Sequence, residues 1–178
     1  MNVNIYSREE IEKLLETENL KNTAIISFYD PAIRRIDKDY KPVNYSGKCD
    51  RVFLCELNDL DIDVMPQYDL TYNTFFPEAD ELAEFIYKAK NDGLNIICQC
   101  EYGQSRSAGC AGAILEHFYK NGISIFTDYR YFPNQVVYHK VFDALEKYKK
   151  EHSATWQKNT PLLRWHKQWC IKEIIWES

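Results

Sequence analysis

The residues best able to do chemistry lie in the stretch CQCEYGQSRS, Cys98 to Ser107. Cys100 and Arg106 are separated by five residues, Glu101, Tyr102, Gly103, Gln104 and Ser105, and Ser107 follows directly. Five residues between a thiol and a guanidinium can wrap a loop around one phosphate. The loop N–H groups and the N-terminus of a following helix then point at its oxygens. Arg106 would add two parallel charged hydrogen bonds, which the planar fork of Arg supplies and Lys does not. The same positive field would favour the thiolate of Cys100 and make it a nucleophile. Ser107 is placed to donate a hydrogen bond to that sulfur, helping it leave when a phosphocysteine is hydrolysed. Spacing alone is a weak signal: six Cys and seven Arg in 178 residues give about a quarter of one such match by chance.

The elements around the stretch strengthen it. NIICQC, Asn95 to Cys100, reads as a buried apolar strand that ends at the thiol. Gly103 lets the backbone turn tightly and approach a ligand. A helix is expected from about Ser105 to Lys120, stopped by Asn121-Gly122. Upstream, Val3 to Tyr6 reads as a short edge strand, and Ser7 with Glu10 as a capping box opening a helix with Ile11, Leu14 and Leu15 inward. Thr23 to Tyr29 and Arg51 to Leu57 read as further strands, with a polar, basic loop over 32–50. Pro77 is suited to the first turn of a helix carrying Leu82, Phe85, Ile86 and Ala89, stopped at Asn91-Asp92-Gly93. Asn134 is expected to N-cap a helix with Val137, Val141, Phe142 and Leu145 inward. Leu162, Trp165, Trp169 and Ile174 recur at helical spacing, predicting a Trp-rich last helix at about 160–177. Strands alternating with helices predict an α/β fold, a central mostly parallel sheet flanked by helices, in a single domain over 1–178.

CEYGQSRSA resembles the active-site signature of the cysteine-dependent protein tyrosine phosphatases, in its dual-specificity form C-x-x-G-x-S-R-S. Cys100, Gly103, Ser105, Arg106, Ser107 and Ala108 all fit. The resemblance extends to the preceding helix ADELAEFIYKAKNDG and to YRYFPNQVVYHKVFDAL, similar to the family's Pro-Asn helix, and so covers roughly Val52 to Tyr148. It implies a phosphatase that hydrolyses phosphomonoesters on tyrosine, or on serine and threonine, through a phosphocysteine. Cys100, Arg106 and Ser107 would be catalytic, Glu101 to Arg106 phosphate-binding, and neither metal nor cofactor is called for. The family usually has His before the Cys. Here Gln99 stands there, so a less complete thiolate is expected.

The leaving oxygen needs a proton. In the family a carboxylic acid on the loop after the preceding strand supplies it, which here means Asp59, Asp61, Asp63 or Asp69. Asp59 lies immediately past the strand end, whereas Asp69 has the more usual distance to Cys100. Asp59 is favoured, then Asp61 and Asp69, and the remaining carboxylates are loop charges or caps.

Composition excludes other classes. The chain is 45% hydrophobic and 28% charged with net charge −5, which predicts a globular protein and gives no support to nucleic-acid binding. No segment approaches 18 consecutive apolar residues, and the N-terminus lacks the order of a secretory signal, so no membrane span and a cytoplasmic location are expected. The six Cys show no C-x-x-C pair or metal spacing. Cys98 reads as a buried thiol rather than a disulfide partner of Cys100, and His139 as a surface residue. Arg34, Arg35, Lys38 and Lys41 form a basic patch on a solvated loop. The expected partner is a phosphorylated protein or peptide. Two other readings use the same loop: a feeble or inactive phosphate-binding module, and a phosphatase for nucleotide or RNA 5′-phosphates.

Overall fold

The computed structural model describes residues 1–49 and 51–159, with side chains to residue 153. The Trp-rich helix expected at about 160–177, and Cys170, lie outside the described residues. Four strands, β1 (Val3–Ser7), β2 (Thr23–Tyr29), β3 (Arg51–Glu56) and β4 (Asn95–Cys100), form one sheet in the order β1-β4-β2-β3. Every pairing is parallel, with Ser7 opposite Cys100 and Ser27 opposite Gln99. Among the described residues the sheet is therefore wholly parallel, and the carboxyl ends of its strands share one edge.

Alternation along the strands divides the interior in two. Ala24, Ile26, Phe28, Ile96, Cys98 and Cys100 face one side. There α3 (Ala79–Asn91), α4 (Arg106–Tyr119) and α6 (Gln135–Asn159) cover them with Leu82, Ile86, Ile114, Val137, Val141 and Leu145. Ile25 and Ile97 face the other side, against Ile11 and Leu15 of α1 (Arg8–Thr17) and Val43 and Tyr45 of the loop between β2 and β3. The Ser7–Glu10 capping box forms in full, with Ser7 N–H donating to Glu10 Oε2 at 2.7 Å and Glu10 N–H to Ser7 Oγ at 3.2 Å.

The sequence reading missed the short pieces. Turns at Ile33–Arg35 and Met65–Tyr68, and the one-turn helices α2 (Tyr72–Phe75) and α5 (Ile123–Phe126), stand where no element was expected. Each is too short to show an apolar period. The end of α4 also differs: Lys120, not the glycine, takes the left-handed cap at φ 57°, and Asn121 N–H reaches back to Leu115 O. Gly122 serves close packing instead, since a Cβ there would lie 2.7 Å from Glu116 Cβ. No helix of the described residues is long and apolar enough to cross a membrane.

A buried polar group ties α4 to α3 and α6. His117 Nδ1 lies 2.8 Å from Glu146 Oε1, and Nε2 lies 2.6 Å from the Tyr87 hydroxyl. Burial pushes the His117 pKa below the usual imidazole value, with Glu146 opposing, so the fold prefers the neutral ring. The unfolded chain keeps an ordinary value near ~6.5. Because the folded pKa is the lower one, the contribution is complete above ~6.5 and is lost as pH falls from there towards the folded value. Urea midpoints are thus expected to decline as pH drops below ~6.5, before the carboxylates titrate, and His117→Gln should flatten that part of the curve.

Candidate active site

Loops leaving the carboxyl ends of parallel strands meet where an α/β sheet binds ligands. β4 delivers Cys100 to this edge, and the chain turns through 101–105 into α4. Contacts from two distant segments hold the loop from outside. Arg8 N–H donates to Glu101 O at 3.1 Å, Phe132 N–H to Gln104 O at 3.0 Å, and Asn134 N–H to Ser105 O at 3.2 Å. The Glu101, Gln104 and Ser105 carbonyls are thereby engaged by segments outside the loop. The amides of Tyr102, Gly103, Gln104 and Ser105 donate to no protein acceptor among the described residues.

Gly103 makes this path possible. Its φ is +67°, and an added Cβ would lie 2.6 Å from Ser7 N and 2.9 Å from Tyr6 C, both backbone. Gly93 has φ +72° with nothing within 4 Å, so the two separate backbone strain from collision. Gly93→Ala should cost about 1 kcal/mol, the left-handed penalty alone. Gly103→Ala should cost at least about 2–3 kcal/mol in urea denaturation, because the overlap cannot relax through a flexible side chain.

Cys100 is 2% exposed, and its Sγ lies 3.0 Å from Ser107 Oγ in the first turn of α4. Arg106 is also 2% exposed. Its Nη1 donates to Leu57 O just past β3. Nε lies 3.6 Å from Asp59 Oδ2, without a hydrogen-bond partner, and Nη2 lies 3.8 Å from Asp30 Oδ2. Asp59 Oδ1 accepts from Ser105 Oγ at 2.7 Å and from Asn134 Nδ2 at 2.9 Å. The structure thus brings Cys100, Ser105, Arg106, Ser107 and Asp59 together. Asp61, Asp63 and Asp69 occupy exposed loop positions, and Asp69 is the left-handed cap of the Met65–Tyr68 turn.

Several side chains next to the loop have partners of their own. Gln99 lies on the α1 side of the sheet, opposite Cys100, where its Oε1 accepts from Ser27 Oγ at 2.5 Å and Tyr45 Oη at 3.1 Å. The Glu101 carboxylate is engaged outside the loop. It accepts from Tyr40 Oη at 2.8 Å and lies 3.9 Å from Arg8 Nη1, while Arg8 Nη2 donates to Lys41 O at 2.8 Å. The basic loop is therefore stapled to the back of the 101–105 turn. Tyr102 in the loop is 76% exposed, and Phe132, whose N–H holds Gln104 O, is 74% exposed. Cys98 is buried beside Cys110, whose thiol burial pushes up, and His139 is exposed.

Three contributors escaped the sequence reading: Asp30, the Leu57 carbonyl, and the amide of Asn134 beyond its capping role. Asp30 directly follows β2, so the shared carboxyl edge of a parallel sheet was the one signal that pointed to it.

No family model matches the chain, and no curated protein matches it in sequence. Solved structures similar in fold include the human tyrosine phosphatase-like serine/threonine/tyrosine-interacting protein, 16% identical over 82% of this chain and 86% of that one, TM-score 0.43. Tk-PTP in its active form is 13% identical over 82% and 92%, TM-score 0.48. The PTP-2 phosphatase of Cydia pomonella is 13% identical over 80% and 85%, TM-score 0.44.

Proposed function

We propose that the chain is a cysteine-dependent phosphatase of the tyrosine and dual-specificity kind, a single domain that cleaves phosphomonoesters on a phosphorylated protein or peptide. One observation carries the reading. A buried thiol at a strand end sits 3.0 Å from Ser107 Oγ, beside a loop whose Glu101, Gln104 and Ser105 carbonyls are engaged by other segments and whose closing residue is a buried Arg.

In the first step the Cys100 thiolate forms a bond to phosphorus as the bond to the ester oxygen breaks, and Asp59 gives that oxygen its proton. The loop amides from Glu101 to Ser105 and the Arg106 fork take up the charge on the equatorial oxygens, the larger part of the rate gain. In the second step the Asp59 carboxylate removes a proton from water. The water oxygen bonds to phosphorus, the S–P bond breaks, and Ser107 donates a hydrogen bond to the departing thiolate. Inorganic phosphate leaves. Tyr102 and Phe132 offer aromatic surface beside the loop, which supports an aryl ester such as phosphotyrosine.

The test is hydrolysis of p-nitrophenyl phosphate and of a phosphotyrosine peptide by reduced protein in chelator, with rapid acid quench to trap phosphate on Cys100. Turnover with label on Cys100 is the expected result. A folded, reduced protein that turns over neither ester overturns the reading.

A further inference from the structure

We infer that Asn134 positions the proton donor, in addition to opening α6. This rests on the phosphatase reading above and concerns how the acid is aimed. Asn134 is buried and makes five hydrogen bonds. Its Oδ1 accepts from Val137 N–H at 2.9 Å, the ordinary N-cap bond. Its Nδ2 donates to Leu60 O at 3.0 Å and to Asp59 Oδ1 at 2.9 Å. Its backbone N–H donates to Ser105 O, and its carbonyl accepts from Tyr138 N–H at 3.0 Å. The amide has only one orientation that satisfies these partners. Val137 N–H can only donate and Leu60 O can only accept, so the nitrogen must be the atom on Asp59.

Capping does not explain that nitrogen. A cap needs one acceptor oxygen, and Ser or Asp supplies it as well as Asn does. What Asn adds is a donor, spent on the acid loop at Asp59 and Leu60. With Ser105 Oγ as second donor, Asp59 Oδ1 is occupied twice. The oxygen left to carry a proton is Oδ2, which faces the phosphate loop 3.6 Å from Arg106 Nε. Asn134 therefore sets the rotation of the carboxyl group. Through its backbone bond to Ser105 O it also fixes the acid loop relative to the phosphate loop. An error of about 1 Å in such a group costs on the order of 100-fold in rate.

The experiment uses Asn134→Ser, which keeps a cap oxygen and removes the donor, and Asn134→Asp, which keeps the cap and sets a second carboxylate against Asp59. Each is assayed on p-nitrophenyl phosphate, whose leaving group needs little protonation, and on phenyl phosphate, whose leaving group needs it. Asn134→Ser is expected to lower kcat/KM, which reports the first step and not the hydrolysis common to both esters, about 10- to 100-fold on phenyl phosphate and about threefold or less on p-nitrophenyl phosphate. Asn134→Asp should lose more than Asn134→Ser on phenyl phosphate. In an Asp59→Asn background the added Asn134→Ser change should cost less than about twofold, because both act through one group. Equal losses on the two esters, no loss on either, or the same loss with and without Asp59 overturns the inference while leaving the phosphatase reading intact. A native protein that hydrolyses neither ester overturns both.

Discussion

Cys100→Ser is expected to abolish turnover of p-nitrophenyl phosphate, by roughly 10⁴-fold or more, while leaving the fold in place. A serine hydroxyl is not ionised at neutral pH, so the phosphoryl-transfer step loses its nucleophile, and nucleophile losses in enzymes reach that size. The fold tolerates the change because the new hydroxyl finds a partner in Ser107 Oγ, 3.0 Å from the present sulfur. The variant should therefore unfold within about 1 kcal/mol of the native chain and still bind a phosphotyrosine peptide. Cys98→Ser is the matched control. Cys98 is buried on the same side of the sheet, among Ile26, Ile96 and Cys110. A hydroxyl there lowers stability without touching the nucleophile, so that variant should keep its turnover. If Cys98→Ser were the inactive one and Cys100→Ser active, the assignment of the nucleophile would fall.

Arg106→Lys is expected to be nearly as damaging to rate and more damaging to stability. Arg106 works in three directions at once: Nη1 on Leu57 O, Nε towards Asp59, Nη2 towards Asp30. A lysine brings a single ammonium on a flexible stem and cannot serve these together with a phosphate. Turnover should fall by about 10³-fold or more, the order seen when a charge-stabilising arginine is withdrawn from phosphoryl transfer. Stability should fall by about 2–3 kcal/mol, since the Leu57 carbonyl and two partly buried carboxylates lose their common partner. Paired measurements of kcat/KM and urea midpoint read both effects. A variant with native stability and a tenth of native activity would show that the guanidinium is replaceable and sink its assigned role.

The sequence made the centre of the site legible for local reasons. Cys100, Gly103, Arg106 and Ser107 lie within eight consecutive residues, and an apolar strand before them with a helix start after them sets their geometry without help from elsewhere. Ser7 with Glu10, and Asn134 with Val137, were readable on the same grounds, because caps are short-range devices. Asp59 was reachable through its place one loop after β3. Asp30, Leu57 O and the side-chain nitrogen of Asn134 were not, since what they do depends on which loops meet across the sheet edge. Strand order is not written in any one segment: β4 lies between β1 and β2, which are neighbours in sequence. Gln99 shows the same limit from the other side. Its place beside Cys100 in the chain does not reveal its partners, because strand alternation turns it through the sheet to Ser27 and Tyr45.

The meeting of Asp30, Leu57, Asp59, Ser105, Arg106 and Asn134 at one point also bears on how the protein comes into being. The backbone hydrogen bonds within α1, α3 and α4 are local, whereas bringing residues as distant as Asp30 and Asn134 to one place closes long loops, which costs chain entropy before the contacts repay it. An incompletely folded chain would carry the thiol and the guanidinium without the cradle between them. Catalytic competence would then appear only with the fully assembled native state. An oxyanion recognised by that cradle would bind the finished fold alone, adding about 2.7 kcal/mol of stability at a hundred times its Kd and shifting the folding equilibrium towards the native state.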